Sequence, residues 1–204
     1  MPSGLIPHQH VTVWLLLSAA VLLSLERACY IWVCRAPDAF RRACDKDSLV
    51  GVGGPVQVLR RLFYAFKALQ VMVFVLWCYA FGDGAFWPSQ VTTATALGVL
   101  AMVVGQTLAL SVFHRLGIVG VFYGTRFGHD VPWCRGFPFS MLRHPQYVGT
   151  LLSIWGFFLV MRFPHDDWFL LPALETIYYA VGARLESDAP LLSSTTTRHG
   201  WARE

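Results

Sequence analysis

The chain has 204 residues, 55% of them hydrophobic and 14% charged, against roughly 25% charged in an ordinary soluble domain. A soluble domain of this size buries only about 60–70% of the surface its chain exposes. That is too little to hide so much apolar side chain, so a soluble globule is excluded. The formal charge of +4, from 16 basic and 12 acidic residues, is spread without long like-charge runs, which excludes a nucleic-acid-binding protein.

Five apolar segments predict an all-α, polytopic integral membrane protein with four to five transmembrane helices, forming a single domain over residues 1–204. The first, Val11 to Val33, has no Lys or Arg before it and stays apolar past Leu25, which predicts a retained segment and not a cleaved signal peptide. It carries Glu26 and Arg27, so spanning and re-entry are both open. Leu62 to Phe81, Val91 to Phe113 and Tyr147 to Phe163 follow. The last, Trp168 to Leu185, is short and contains Pro172 and Glu175, so re-entry is open there too.

If all five cross, 15 of the 16 basic residues fall on the face opposite the N-terminus, in the connections around Arg27 to Lys67, Arg115 to Arg143, and beyond Arg184. The positive-inside rule makes that face cytosolic. Arg162 is the exception. The five cysteines show no C-x-x-C pair and read as free thiols in packing roles. With no asparagine in the chain, N-linked glycosylation is excluded. Residues 191–204 are polar and aperiodic and predict a flexible cytosolic tail.

The connection from His114 to Gln146 is long and rich in His, Arg, Gly and aromatic residues. Gly120, Gly124 and Gly128 recur every four residues, with Gly117 just before them. On a helix they make a bare stripe, suited either to close helix packing or to a ligand against exposed backbone. Downstream, Pro145 suits the first turn of the fourth segment and places His144 at the helix mouth near the membrane surface. With Arg143, that mouth is either an interfacial anchor or an anion site. Glu26, Glu175 and Glu186 lie in or beside apolar segments, where a carboxylate costs about 2.5–3.5 kcal/mol. Glu175 and Glu186 are eleven residues apart, nearly on one helix face, and so able to line one cavity. Pairing of Glu26 with a neighbouring Arg, and exit of Glu186 into water, are the structural alternatives.

Taken together, Gly117-Ile-Val-Gly-Val-Phe-Tyr-Gly-Thr-Arg-Phe-Gly128, Gly136-Phe-Pro-Phe139, Pro145-Gln-Tyr-Val-Gly149 and Leu185-Glu186 resemble the phospholipid N-methyltransferases. These enzymes convert phosphatidylethanolamine derivatives to phosphatidylcholine. Leu25-Glu-Arg-Ala-Cys-Tyr-Ile-Trp-Val33 resembles the opening helix of the family's protist, fungal and algal branch. The Arg-His-Pro-x-Tyr-x-Gly run from Arg143 is similar to the wider membrane methyltransferases that include isoprenylcysteine carboxyl methyltransferase.

The resemblance implies S-adenosyl-L-methionine as co-substrate, no metal, and a phospholipid substrate. The expected acceptors are phosphatidyl-N-methylethanolamine and phosphatidyl-N,N-dimethylethanolamine, with phosphatidylethanolamine itself left open. It also implies residence in the endoplasmic reticulum membrane, or alternatively a mitochondrial one. Carboxyl methylation of a prenylated cysteine is the alternative enzyme, and a helical scaffold the non-catalytic alternative. His144, Pro145, Tyr147, Gly149 and Glu186 fall on cofactor-site positions, with Arg143 beside them. Ser187 stands where the family's acidic pair continues, and Val103-Val104-Gly105 where animal relatives carry Gly-x-Gly.

Methyl transfer to an amine needs nitrogen, carbon and sulfur held in line and water kept out, and positioning alone supplies about 7–11 kcal/mol. The ammonium must first lose a proton, and Glu186, Glu175 and His144 are the candidate acceptors. Two cationic centres suit aromatic faces, for which Tyr147, Phe137, Phe139, Tyr178 and Tyr179 are candidates. Arg126, Arg135 and Arg143 are the forks available for the lipid phosphate.

Overall fold

A computed structural model describes residues 7–45, 51, 53–82, 91–131, 134 and 136–187. The predicted tail and Arg135 lie outside the described residues. Among the described residues six α-helices succeed one another: α1 (Pro7–Arg35), α2 (Pro37–Cys44), α3 (Pro55–Ala80), α4 (Thr93–Val121), α5 (Pro145–Met161) and α6 (Leu170–Ser187), with a 3₁₀ turn over Gly124–Phe127 after α4. No strand occurs among the described residues. Proline opens α2, α3 and α5, where its missing N–H has no helical partner to lose. Thr92 and Thr95 close a reciprocal capping box at the start of α4.

Helices α1, α3 and α4 are each long and apolar enough to cross a bilayer, and α5 is apolar but shorter at 17 residues. The protein is a polytopic, all-helical membrane protein. Helix α1 runs unbroken through Glu26 and Arg27, a continuous rod and not a re-entrant hairpin. Pro172 falls in the first turn of α6, where it interrupts no helical hydrogen bond.

The glycines that bring two helices into contact are not those of the predicted stripe. Gly98 of α4 faces Gly156 of α5, and Gly105 faces Gly149, an antiparallel register with one seven-residue step on each helix. A Cβ on Gly149 would stand 2.6 Å from the Gly105 carbonyl oxygen, and one on Gly98 would stand 2.7 Å from that of Gly156. Backbone therefore lies on backbone along this seam. The stripe itself is corrected. Gly117, at φ 62°, kinks α4, and Gly128, at φ 84°, ends the 3₁₀ turn. Gly124 is closed in by the Val119 backbone, 2.6 Å from where its Cβ would be. These glycines turn the chain at the end of α4 and do not offer a continuous open face.

Two apolar clusters hold the bundle. One joins Leu23, Phe74, Trp77, Phe158 and Leu171 across α1, α3, α5 and α6. The other joins Val33, Phe40, Leu59, Phe122 and Phe127 near the basic end. Arg162, the basic residue outside the positive-inside pattern, is 4% exposed. It donates to Asp167 through Nε at 2.9 Å and Nη2 at 2.6 Å, while Trp77 Nε1 donates to the same carboxylate at 3.0 Å. Removing one partner of such a buried pair costs about 3–5 kcal/mol. Asp167→Ala is therefore expected to lower unfolding free energy by about that much, read by denaturant titration in detergent.

Candidate active site

Between α3 and α4 the bundle holds a cavity of about 620 Å³. Its back is formed by α1, α5 and α6. Phe74, Phe113, Ile154 and Phe157 make its walls apolar, while Glu26, Arg27, Lys67, Gln70, Tyr147 and Tyr179 form a polar end. Tyr64, Val71 and Leu110, which also line it, are exposed on the outer surfaces of α3 and α4, so the cavity faces the bilayer sideways.

The polar end is a connected network. Arg27 Nη2 lies 3.1 Å from Glu26 Oε1, and Lys67 Nζ lies 3.1 Å from Glu26 Oε2. Lys67 also donates to Gln70 Oε1 at 3.0 Å and to the Tyr179 hydroxyl at 3.3 Å. Gln70 Nε2 donates to Glu175 Oε1 at 2.5 Å. Charges of this kind sit inside the bundle in pairs because a lone charge there is far costlier than a paired one. Arg27 and Lys67, grouped above with the cytosolic connections, thus belong to the bundle interior, and Glu26 follows the alternative of a paired carboxylate.

Tyr147 links this network to the helix mouth. Its hydroxyl donates to Glu186 Oε1 at 2.5 Å across 39 residues of sequence. Its ring stacks on His144 at 5.7 Å and meets the Tyr179 edge at 5.1 Å. His144 is the N-cap residue of α5 and Pro145 opens that helix, as the sequence predicts. Of the predicted site residues, then, His144, Pro145, Tyr147 and Glu186 come together. Glu175 and Glu186 share α6 but do not line the cavity together: Glu175 is engaged by Gln70 and Glu186 by Tyr147.

The others lie elsewhere. Gly105 and Gly149 form the helix seam, while Val103 and Val104 are 58% and 44% exposed on the outer surface of α4. Arg143 is exposed and Arg126 half-buried in the 3₁₀ turn, while Ser187 is the last residue of α6. Neither Arg143 nor Arg126 lines the cavity. Of the five candidate aromatic faces, Tyr147 and Tyr179 line the cavity, Phe137 and Phe139 do not, and Tyr178 packs into the bundle with its hydroxyl on the Ala20 carbonyl at 2.9 Å. Tyr30 is an addition. The Arg27 guanidinium rests among three rings, 3.9 Å from the Tyr179 centroid, 5.3 Å from Tyr30 and 5.4 Å from Tyr147. A polar pair one turn apart in an otherwise apolar segment, Lys67 and Gln70, is the sequence signal that could have found this network.

Comparison with known proteins bears on what such a site does. A family model described as phospholipid methyltransferase matches residues 93–189, from the start of α4 past the end of α6. A phosphatidyl-N-methylethanolamine N-methyltransferase of Arabidopsis thaliana is 30% identical over 140 residues, which is 68% of this chain and 75% of that one.

The chain belongs to the phospholipid methyltransferase family.

A Saccharomyces cerevisiae protein of the same name is 34% identical over 93 residues, 45% of this chain and 44% of the yeast one. No solved structure matches. As a member of this family the protein is an enzyme, a methyltransferase, and the family match contains His144, Tyr147 and Glu186. It leaves out α1 and α3, which supply the charged wall of the cavity.

Proposed function

We propose that this phospholipid methyltransferase transfers methyl groups from S-adenosylmethionine to the headgroup nitrogen of phosphatidyl-N-methylethanolamine and its dimethylated product, yielding phosphatidylcholine in the endoplasmic reticulum membrane. The observation that carries the reading is the meeting of His144 and Glu186 on Tyr147, which itself lines the polar end of a cavity that opens toward lipid. The names of the two relatives support the acceptor.

The residues suit a cationic methyl donor. The Arg27 guanidinium already seats a positive charge on the faces of Tyr30, Tyr147 and Tyr179, and each such contact is worth about 0.5–2 kcal/mol. A carboxylate, Glu186, and an aromatic pair, His144 and Tyr147, stand at the helix mouth to hold polar and ring groups. When bound, the donor supplies an electrophilic methyl on sulfonium; no metal is required by that chemistry.

The chain supplies the rest. Tyr147 lines the cavity and hands its hydroxyl proton toward Glu186, so the pair forms a path for the ammonium proton: the lipid nitrogen gives its proton to the Tyr147 oxygen as that oxygen gives its own to Glu186 Oε1. The apolar walls exclude water from the reacting nitrogen. Glu175, engaged by Gln70, holds the network in place.

Purified protein given labelled donor, with monomethylated phosphatidylethanolamine and farnesylcysteine offered side by side, tests the reading. Label is expected in the phospholipid. Label appearing only in farnesylcysteine would replace it with carboxyl methylation.

A further inference from the structure

In the charged wall from α1 and α3, two cations, Arg27 and Lys67, meet a single carboxylate, Glu26. The other nearby acid, Glu175, is hydrogen-bonded to Gln70. Lys67 has its three N–H groups engaged by Glu26, Gln70 and Tyr179. Arg27 does not: Nη2 reaches Glu26, but Nη1 is buried without a hydrogen-bond partner, the one such side-chain atom among the described residues. A guanidinium that lines a cavity and has a nitrogen unmatched is suited to an anion.

The cavity says which anion. Its mouth lies between the lipid-facing surfaces of α3 and α4, beside Tyr64, Val71 and Leu110, and its walls are aromatic and aliphatic. A ligand entering there comes from the bilayer with its acyl chains trailing and its charged end leading. A phosphodiester on Arg27 would give that nitrogen a partner. The lipid amine, two carbons beyond the phosphate, would then reach Tyr147 and Tyr179, whose rings stand 5.4 and 3.9 Å from the same guanidinium.

We propose that Arg27 is the phosphate anchor: the phospholipid enters sideways between α3 and α4, and its phosphodiester is held on Arg27 inside the bundle, not on the sequence candidates Arg126, Arg135 or Arg143. This rests on the reading above that the substrate is a phospholipid, and assigns the residue that recognises it.

The test uses the full chain in detergent and compares retention of radiolabelled phosphatidyl-N-methylethanolamine with that of diacylglycerol bearing the same chains. The wild type should prefer the phosphodiester, and Arg27→Gln should lose roughly ten- to a hundredfold of that preference, the worth of a charged hydrogen bond. Its affinity for S-adenosylhomocysteine, measured in parallel, should be unchanged. An unaltered lipid preference overturns the proposal. So does a loss of adenosyl affinity with lipid preference intact, which would give Arg27 to the cofactor's carboxylate. Because Arg27→Gln also disturbs a buried pair, a second measurement uses the wild type alone. A phospholipid with a photoreactive group beside its phosphate should label residues 20–35, and labelling confined to residues 124–146 overturns the proposal. Wild-type methyl transfer that persists beside either negative result sinks the anchor and spares the proposed function; correct labelling without methyl transfer does the reverse.

Discussion

Glu186→Gln is expected to slow methyl transfer to phosphatidyl-N-methylethanolamine by roughly 10²–10⁴-fold, the range for loss of a positioned proton acceptor. The side chain keeps its size, so packing at the end of α6 is preserved. What changes is the partner of the Tyr147 hydroxyl, 2.5 Å away: an amide oxygen still accepts the hydrogen bond but does not take up the proton. Tyr147→Phe removes the other half of the path and should give a loss of the same order, and the double variant should be little worse than either single one, because two groups acting as a unit are not additive. The measurement is initial rate against lipid concentration in nanodiscs. A fall in kcat with KM nearly constant fits the proton path. A rise in KM alone would make Glu186 a binding group only.

Gly149→Val is expected to destabilise the bundle by at least about 1–3 kcal/mol, as overpacking of a tight interface does, and to reduce activity with it. A Cβ there would stand 2.6 Å from the Gly105 carbonyl oxygen and 3.1 Å from the Ala109 nitrogen. Backbone atoms cannot rotate aside, so α4 and α5 must part. Since α5 carries His144 at its mouth and Tyr147 in its first turn, parting also moves the proton path. Gly136→Ala is the control from another motif position: its nearest neighbour is an Arg115 side-chain nitrogen at 3.5 Å, ordinary contact, and little loss of stability is expected. Thermal unfolding of the two variants in one detergent compares them.

What was legible in the sequence follows from which forces act locally. Run-lengths of apolar residues located α1, α3, α4, α5 and α6 because a helix must be long and apolar to lie in hydrocarbon, and Pro145 marked the start of α5 because proline suits a first turn. The place of His144 at that mouth followed. The partners did not. Tyr147 and Glu186 are 39 residues apart and meet only because α5 and α6 pack side by side. Arg27 and Lys67 read as residues of basic connections, because charge in a sequence suggests water; their burial depends on Glu26 lying between them, a pairing across two helices. The glycine run was misleading for a related reason. A four-residue repeat matches a helix face, but positive φ at Gly117 and Gly128 is a property of the turn they make, and the close seam is made instead by Gly98, Gly105, Gly149 and Gly156 at seven-residue spacing.

The central claim, that the cluster of His144, Tyr147 and Glu186, joined to this cavity by Tyr147, seats an adenosyl donor beside a lipid amine, is tested most directly by titrating S-adenosylhomocysteine calorimetrically into the full chain in lipid nanodiscs. Saturable binding that His144→Ala weakens by about tenfold or more, as loss of a site contact worth about 1.4 kcal/mol would, is the predicted result. Absence of saturable binding by the wild-type protein, or equal affinity in the variant, would contradict it.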